Sequence, residues 1–456
     1  MIISLINPPF IFPTPREFIF SQCLGLRSLS SFLKMKGCHE TYFIDALMLG
    51  FSNVKRYANG YIVGLEIDDI IANIPADTEL IGISAPFSQL APIVHNIIDR
   101  AKKRFSDIPI IMGGVYPSTQ PNLALTSKAD FIIVGEGESA IRDIADGRNP
   151  KEIEGVYSRD SINNEYFPAA SKISDLDELP FPDYSIPLID KYFTLSPRAA
   201  TGRRTASLIT SRGCPFSCEF CSIHPIYGKK YRYRSAINVL GEVEYLVKRH
   251  SIQSLEIEDD NFTLHKGRTI EILEGIIHLN EENAGLDWRT PNGIRIDTID
   301  EEVIKLIKKS NCTEITLGLE HGDPKILSKM NKKLDLNKAF NIIKQLVQYG
   351  IPAITLFIIV GYPGETQKRF LNSLSYLRKI QKLGKNINLW VNIVQPYPGT
   401  KLLNRCRREG YITDKYFDNF LVRKDLMTTN YTVSIITPDF DEKEVLFRKK
   451  LLSALF

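Results

Sequence analysis

The stretch Ser211-Arg-Gly-Cys-Pro-Phe-Ser-Cys-Glu-Phe-Cys-Ser222 places three cysteines, Cys214, Cys218 and Cys221, within eight residues. Cysteine thiolates are the ligands of iron–sulfur clusters, and a four-iron cluster normally takes four of them. Three close thiolates with no fourth nearby would leave one iron open to a small molecule. The stretch therefore predicts a [4Fe-4S] cluster that performs chemistry as well as carrying electrons.

Two other uses of these cysteines are weighed against the cluster. A structural zinc ion needs four ligands, and His224, three residues after Cys221, makes a Cys3His zinc site formally possible. A disulfide scaffold is disfavoured because the chain is long and has only seven cysteines. None of the remaining cysteines has a close partner in sequence, and we interpret them as ordinary thiols: Cys23, Cys38, Cys312 and Cys406.

The composition indicates a globular protein with no polyanionic partner. The 456 residues are 43% hydrophobic and 24% charged, and 57 basic against 53 acidic residues give a net charge of +4. This near balance predicts no nucleic-acid partner. Residues 1–15 do not resemble a signal peptide, and the longest apolar run, 351–362, is too short to span a bilayer. We therefore expect no transmembrane segment and a reducing, cytoplasmic location.

The N-terminal part, residues 1–150, alternates short apolar strands with helical patterns. Strands that are apolar throughout and alternate with helices indicate a parallel sheet covered on both faces. This pattern predicts a doubly wound α/β domain of the Rossmann or flavodoxin type, in which ligands bind beyond the carboxyl ends of the strands. The predicted strands are 2–6, 41–45, 80–84, 108–112 and 131–134.

Prolines and small residues follow these strands. Glycines at strand ends let the backbone approach a ligand closely, although ordinary turns use the same residues. The candidate binding residues of this domain are Pro8, Pro9, Ser84, Gly113, Gly114, Gly135, Glu136 and Gly137.

Residues 151–203 are predicted to connect two domains. A hairpin is expected from 155–159 and 166–168, followed by the Pro-rich stretch Asp175-Leu-Asp-Glu-Leu-Pro-Phe-Pro-Asp183. Proline and acidic residues favour extended, exposed chain.

The C-terminal part, residues 204–400, again alternates strand and helix. Six βα units predict a partial (β/α)6 TIM-like barrel, whose active site lies at the carboxyl ends of the strands. The three cysteines follow the first of these strands, where such a site is expected. The predicted strands are 207–210, 254–258, 287–296, 314–318, 353–359 and 386–394, and residues 401–456 are expected to form a closing helical segment.

Polar residues and glycines follow the other strands of this predicted barrel, one set for each strand end. Each set alone is typical of a turn, but their order and position together indicate one binding site. They include Asp259, Asp260, Arg295, Gly318, Glu320, Gly361, Gly364 and Glu365.

Taken together, these motifs resemble those of cobalamin-binding-domain radical S-adenosylmethionine (SAM) proteins. That family includes the B12-dependent radical SAM methyltransferases and the anaerobic magnesium-protoporphyrin ester cyclase. The resemblance covers almost the full length. It includes Asn7-Pro8-Pro9, Gly113-Gly114, Gly135-Glu-Gly-Glu138, the Pro-rich stretch, the C-x3-C-x2-C motif, Asp259-Asp-Asn-Phe262, Gly318-Leu-Glu320, Gly361-Tyr-Pro-Gly-Glu-Thr366 and Pro396-Tyr-Pro-Gly-Thr400.

The resemblance implies roles for individual residues. Cys214, Cys218 and Cys221 would hold the cluster, whose open iron chelates the amino and carboxylate groups of SAM. Phe220 would lie near the adenine, and Glu320 would contact the ribose or amino acid part. The remaining implied contacts to SAM or substrate come from Asp259, Asp260, Arg295, Gly318 and the segment holding Gly361, Gly364 and Glu365. Arg232 and Arg234 are candidate substrate contacts, with solvated surface charge as the alternative.

One feature of some cobalamin-binding domains is missing. Those domains supply a cobalt ligand from an Asp-x-His-x-x-Gly motif, but no histidine of this chain has an Asp two residues before it: His39, His95, His224, His250, His265, His278 and His321. Radical SAM members of the family often lack that histidine too. Cobalamin is therefore expected, and a domain that has lost it is the alternative.

The resemblance implies an enzyme that cleaves SAM to a 5′-deoxyadenosyl radical and methylates an unactivated carbon of a small-molecule, lipid or natural-product substrate. It also implies a flavodoxin- or ferredoxin-like reducing partner. Radical oxidation, cyclisation or rearrangement without methyl transfer is the first alternative, and a non-catalytic cobalamin or SAM sensor is another. A tRNA methylthiotransferase is disfavoured because that class carries three further cluster cysteines in its N-terminal domain, where this chain has only Cys23 and Cys38.

Overall fold

A computed structural model describes residues 1–14, 22–58, 60–195, 202–413 and 432–455. The described residues fall into two compact units. The first contains those up to 195 together with 223–228, and the second contains 202–222, 229–413 and 432–455. Among the described residues, no helix combines the length and apolar character needed to cross a membrane.

The first unit is built on a parallel sheet. Its five parallel strands lie in the order second, first, third, fourth, fifth along the chain, which is the flavodoxin-like order of a doubly wound fold. The predicted alternation of strand and helix is confirmed. The elements are β1 (Ile2–Asn7), β2 (Phe10–Phe12), α1 (Leu24–Lys36), β3 (Glu40–Asp45), α2 (Ala46–Leu49), β4 (Val54–Tyr57), β5 (Gly60–Val63), α3 (Ile67–Ala72), β6 (Leu80–Ser84), α4 (Ala91–Arg104), β7 (Ile110–Gly113), α5 (Val115–Thr119), α6 (Pro121–Ala124), β8 (Phe131–Ile133), α7 (Glu138–Ala145), β9 (Val156–Tyr157) and α8 (Ile189–Thr194).

The hairpin expected within 151–203 does not form. Strand β9 pairs antiparallel with β8 and so extends the main sheet, while residues 166–168 have no regular structure. Proline has no N–H to donate to a strand ladder, and Pro168 instead accepts a hydrogen bond from the Tyr157 hydroxyl (2.7 Å). The edge of an existing sheet therefore outcompetes a local hairpin.

A three-stranded antiparallel sheet was missed by sequence reasoning. It consists of β2, β5 and β4 in that order. These strands have only three or four residues each. Segments so short carry too few residues for an alternating pattern to be recognised.

The second unit contains a six-stranded parallel sheet whose strands follow one another in chain order, as expected of a partial barrel. A short antiparallel ribbon of β11 and β12 accompanies it. The remaining elements of the chain are β10 (Thr205–Leu208), β11 (Ser211–Arg212), α9 (His224–Tyr227), β12 (Arg232–Tyr233), α10 (Ala236–His250), β13 (Ser254–Ile257), α11 (Lys266–Glu281), β14 (Asp287–Ile294), α12 (Glu301–Lys309), β15 (Cys312–Glu320), α13 (Pro324–Lys329), α14 (Leu336–Gln348), β16 (Ala353–Val360), α15 (Gln367–Gln381), β17 (Ile387–Ile393), α16 (Lys401–Arg408) and α17 (Glu442–Ser453).

The two faces of this sheet differ in chemistry. Helices α12 and α14 contact β15 and β16 on the face where Ile354, Leu356 and Ile358 are fully buried. The opposite, inner face carries a polar ladder across the strands: Ser207, Glu256, Arg289, Glu314 and Thr355. Alternation of side chains along each strand produces this division.

The closing segment contains two described helices, α16 and α17, and α17 begins at Glu442. Asp441 caps its N-terminus by accepting a hydrogen bond from the Glu444 N–H (2.8 Å). The helix packs against β17 at the edge of the sheet. Phe456 lies outside the described residues.

Candidate functional site

The cysteine loop, defined here as residues 213–222, lies at the carboxyl end of β10. Gly213, with φ of 86°, turns the chain out of the ribbon strand β11 into this loop. Cys214, Cys218 and Cys221 are partly exposed, and none of them is in a disulfide. The Cys221 N–H donates a hydrogen bond to the Cys218 carbonyl (3.2 Å), and this bond closes a turn that contains the second and third cysteines.

Asp259 anchors the chain just before this loop. Its carboxylate accepts hydrogen bonds from the Thr210 N–H (2.6 Å), the Thr210 hydroxyl (2.6 Å) and the Ser211 hydroxyl (2.5 Å). The side chain is buried. The expectation that Asp259 contacts SAM or substrate is therefore corrected, because its oxygens already serve the backbone and hydroxyls of β10–β11.

Replacing Asp259 by Asn is expected to destabilise the start of the cysteine loop. The amide can accept only part of this set of hydrogen bonds, and each bond to a charged group is worth about 1.5–3 kcal/mol. The variant should unfold at lower denaturant concentration and retain less iron after reconstitution. Glu274→Gln, at an exposed carboxylate on α11, is the control and should leave the unfolding midpoint nearly unchanged. An unaltered midpoint in Asp259→Asn would contradict the anchoring role.

Arg295 supports the cysteine loop from the end of β14. Its guanidinium stacks on the Phe216 ring, 3.7 Å from the ring centroid. It also forms a bidentate pair with Asp297 (2.9 and 2.8 Å) and donates to the Lys332 carbonyl (2.9 Å). Its Nη1 is buried and has no hydrogen-bond partner among the described residues. That nitrogen therefore has a hydrogen that no described residue accepts.

Glu320 and Lys332 form a buried ion pair at the end of β15. Glu320 Oε1 lies 2.9 Å from Lys332 Nζ. Glu320 adopts a left-handed conformation (φ 66°) at a bulge, which folds its side chain back over Gly318. A Cβ at Gly318 would lie 2.7 Å from Glu320 Oε1 and 2.9 Å from Lys332 Nζ, so a larger residue there would push the ends of these two side chains aside. Sequence reasoning missed Lys332, which no strand-end rule marks.

The segment that carries Lys332 also binds the cysteine loop directly. The Asn331 side-chain amide donates to the Ser217 carbonyl (2.9 Å), and the Glu219 N–H donates to the Met330 carbonyl (2.9 Å). The Glu219 carboxylate is held in turn by Arg405 (3.2 Å) and by the Tyr362 hydroxyl. Three distant parts of the chain thus fix the shape of the loop.

The charges around the thiols suit an anionic cluster. Burial raises the pKa of Cys218, while the nearby Lys332 and Arg295 act to lower it. Burial likewise raises the pKa of Cys214, to which the Asp260 carboxylate also contributes. A metal deprotonates its thiol ligands, and cations beside them stabilise the resulting negative charge. The residues present therefore fit a [4Fe-4S] cluster.

A single zinc ion and a four-iron cluster place different requirements on these thiols. Within the described ranges, no three His, Cys, Asp or Glu side chains surround a common point at metal-ligand distance. A single zinc ion needs such a point, whereas in a four-iron cluster each thiolate binds a different iron.

Glu365 is buried within the protein and does not face the site. It is fully shielded from solvent, and its carboxylate contacts His321 Nε2 (3.0 Å), the Gly361 N–H (2.8 Å) and Arg448 Nη1 (3.0 Å). The expectation of a direct SAM contact is corrected for this side chain. Glu365 instead shapes the turn between Gly361 and Gly364, both of which have positive φ.

The structure also gives the burial of Arg232, Arg234 and Phe220 in the second unit. Arg232 and Arg234 are buried, so the surface-charge alternative is wrong for both. Arg234 pairs with the buried Glu242 and with Asn238, which assigns it to the packing of α10. Phe220 is half-exposed within the cysteine loop, and its place beside the adenine stays a prediction.

In the first unit, the candidate residues gather beyond the carboxyl ends of the parallel strands. The strand order reverses between β1 and β6, and this is where doubly wound folds bind ligands. Gly113, at the end of β7, has open space where a Cβ would stand. Phe87, just beyond Ser84 at the end of β6, is 47% exposed and packs its edge on Phe10. Sequence reasoning missed Phe87, although it follows the predicted strand 80–84 closely enough to be counted among the strand-end residues.

Not every predicted residue of this unit is free to touch a ligand. Pro8 and Pro9 are buried, and Glu136 is 6% exposed. Gly114, with φ of 116°, is required because a Cβ would lie 2.8 Å from the Ala85 carbonyl oxygen. The other glycines shape the loop after β8: the Gly135 N–H donates a hydrogen bond to the Ser118 hydroxyl oxygen (2.9 Å), and Gly137 precedes α7.

The open strand ends fit cobalamin without a histidine ligand. His95, on α4, hydrogen-bonds the Tyr116 hydroxyl (3.1 Å), and burial lowers its pKa to about 4. It therefore serves the packing of α4, as expected for an ordinary helix residue. Gly113 lies on β7, one strand beyond the reversal between β1 and β6, and no atom lies within 4 Å of the position that a Cβ would take there.

Family comparison agrees with this architecture. Residues 208–377 match the Radical SAM superfamily, and residues 22–145 match the B12 binding domain. The chain therefore carries a radical SAM domain and a B12-binding domain, and these two domains imply a [4Fe-4S] cluster, SAM and cobalamin as its cofactors.

The chain is similar in sequence to two curated proteins and in fold to one solved structure. An uncharacterized methyltransferase of Pyrococcus horikoshii is 28% identical over 389 residues, covering 83% of this chain and 77% of that protein. The anaerobic magnesium-protoporphyrin IX monomethyl ester cyclase of Rubrivivax gelatinosus is 25% identical over 440 residues, covering 92% and 71%. The structure of the radical SAM methyltransferase TsrM of Kitasatospora setae, with cobalamin and [4Fe-4S] cluster bound, shares the fold, with a TM-score of 0.67, 18% identity and coverage of 88% and 76%.

Proposed function

We propose that this enzyme is a cobalamin-dependent radical SAM methyltransferase that methylates an unactivated carbon of a small-molecule, lipid or natural-product substrate. The observation that supports it most directly is the cysteine loop on the strand ends, flanked by Arg295 and Lys332, in a chain that also carries a B12-binding domain. When bound, the cluster and SAM supply the radical that removes hydrogen from the substrate, and cobalamin supplies the methyl group.

In this proposal the protein binds and orients SAM. Cys214, Cys218 and Cys221 hold three irons of the cluster. The Glu320 carboxylate pairs with the SAM ammonium, and Lys332 and the unpartnered Nη1 of Arg295 pair with the SAM carboxylate. These groups share a buried environment, in which charge pairing is stronger than in water. Asp260 and Phe220 stay candidate contacts to SAM or substrate.

Replacing Lys332 by Met is expected to weaken SAM binding about 10- to 100-fold. The loss of one charge-assisted hydrogen bond costs about 1.5–3 kcal/mol, and the substitution also leaves Glu320 without its cation. SAM is titrated into the reconstituted protein while the cluster EPR signal is followed. Lys325→Met, an exposed lysine on the neighbouring α13, is the matched control and should bind SAM normally. Equal affinities for both variants would remove Lys332 from the proposed site.

The function is tested by anaerobic reconstitution with iron, sulfide and hydroxocobalamin, followed by metal analysis and turnover with methyl-labelled SAM. The proposal expects about four irons and about one cobalt per chain, 5′-deoxyadenosine, and label in a methylated product. A chain that holds iron but no cobalt and transfers no label would overturn it.

A second candidate is radical cyclisation or oxidation without methyl transfer. It is favoured by the similarity to the Rubrivivax gelatinosus ester cyclase, which covers 92% of this chain. The same turnover experiment separates the two, because this candidate forms 5′-deoxyadenosine but leaves the product unlabelled.

We also propose a flavodoxin- or ferredoxin-like electron donor and a cytoplasmic location. The cluster must receive an electron before it can cleave SAM, and oxygen destroys exposed clusters. Seven cysteines without a disulfide suit a reducing compartment.

A further inference from the structure

One part of the inner face of the barrel sheet is aromatic and open. On β17, Asn388, Trp390 and Asn392 point to the same side because side chains alternate along a strand. Trp390 is the Cα partner of Phe357, and their rings meet edge to face, with centroids 6.4 Å apart and planes at 79°. We call Phe357, Asn388, Trp390 and Asn392 the aromatic surface.

The aromatic surface belongs to the inner side of the sheet. Phe357 alternates with Leu356 and Ile358, which are fully buried against the outer helices. A Cβ on Gly293 of β14 would lie 3.0 Å from the Phe357 ring, so this ring extends over the neighbouring strands. Trp390 is nonetheless 47% exposed. Trp390 lies on β17, the last strand of the sheet, and so exposed a side chain has ring surface available for binding.

The aromatic surface lies near the SAM-binding residues. Gly318, Phe357 and Trp390 are successive Cα partners across β15, β16 and β17. Neighbouring strands are about 4.8 Å apart, which puts Trp390 about 10 Å from Gly318. Gly318 in turn lies directly under the Glu320–Lys332 pair. A ring stacked on Trp390 would therefore lie about two strand spacings from the residues proposed to bind SAM.

We propose that the aromatic surface binds the substrate of the radical reaction through a planar heteroaromatic ring stacked on Trp390. This inference rests on the proposed function, since it assigns the substrate class of the same site. The Asn388 and Asn392 amides contact hydrogen-bonding groups on the edge of that ring.

The chemistry of the aromatic surface favours a flat ring over a saturated lipid. An exposed indole face stacks on planar rings, and a single aromatic contact of this kind is worth about 1–3 kcal/mol in nucleobase binding. Trp390 donates its Nε1–H to Asn392 Oδ1 (3.2 Å), which fixes the orientation of both side chains. Because Asn392 Oδ1 accepts this bond, the Asn392 NH2 group is the part of the amide that can donate to a ligand. Two amides beside an indole suit ring edges that carry nitrogen or oxygen.

The substrate class is tested by equilibrium dialysis against protein reconstituted with cluster, SAM and hydroxocobalamin. Indole, cytidine and protoporphyrin IX are the heteroaromatic probes, and they differ in ring number. Deoxycholate is the saturated polycyclic probe. We expect at least one heteroaromatic probe to bind in a 1:1 ratio, and deoxycholate not to bind.

Three variants locate the binding. Trp390→Leu should lower the affinity for the probe about tenfold or more. Trp390→Phe should keep that affinity within about threefold of the parent protein. Phe447→Leu, an exposed aromatic on α17, is the matched control and should bind normally. Asn388→Leu tests the amide without altering ring packing and should also weaken binding. Iron content shows that each variant is folded.

The inference is overturned if deoxycholate binds and the heteroaromatic probes do not, if no probe binds, or if Trp390→Leu binds as the parent does. These results are independent of methyl transfer. If a probe binds in a way that depends on Trp390 but the protein transfers no methyl group, the proposed function is wrong. The inference that the substrate carries a heteroaromatic ring is then still supported.

Discussion

Replacing Cys218 by Ala is expected to abolish cluster assembly and, with it, all SAM cleavage. Each thiolate of a three-cysteine loop holds a different iron, so two remaining thiolates leave two irons without a protein ligand. Cys218 also lies beside both Lys332 and Glu320, so its loss opens the cluster on the side where SAM is proposed to bind. Iron and sulfide analysis, EPR of the reduced protein and quantitation of 5′-deoxyadenosine measure the effect.

The matched control is Cys38→Ala. Cys38 is an exposed free thiol in the first unit, and we expect that variant to keep its iron and its SAM cleavage. If Cys218→Ala retained iron and formed 5′-deoxyadenosine at the parent rate, the assignment of the cysteine loop as the cluster site would be wrong.

Replacing Glu365 by Gln is expected to lower the free energy of unfolding by about 3–5 kcal/mol, the usual cost of removing one partner from a buried ion pair. Glu365 and Arg448 are both fully buried and lie 3.0 Å apart. The Asp323 N–H donates to His321 Nδ1 (3.0 Å), so Nε2 carries the proton and donates to Glu365. Both carboxylate oxygens therefore accept, and an amide would turn its NH2 toward another donor in either orientation.

Chemical denaturation measures this effect, with Glu244→Gln as the control. Glu244 pairs with Lys248 on the surface of α10, where an ion pair contributes about 0–1 kcal/mol. SAM affinity separates the two possible roles of Glu365. A variant that unfolds like the parent protein but binds SAM poorly would restore Glu365 as a direct contact and contradict the buried role.

Local patterns accounted for most of the architecture. The parallel strands of both sheets were predicted within a few residues because each is a short apolar run bounded by turn residues, and such runs are read within a window of the chain. The cysteine motif is likewise local, since its ligands lie in one loop. The strands that escaped prediction, β2, β4 and β5, owe their existence to pairing with one another.

The direction in which each strand-end residue points depended on contacts between distant parts of the chain. Asp259 and Glu365 have the residue type expected of a SAM contact, but hydrogen bonds from Thr210 and Arg448 turn them into the protein. Lys332 enters the site because a bulge at Glu320 and the turn after α13 bring the two side chains together. A carboxylate at a strand end has the same local sequence whether it faces a ligand or a buried arginine. The burial and the partner that distinguish these cases are properties of long-range packing, which no window of sequence contains.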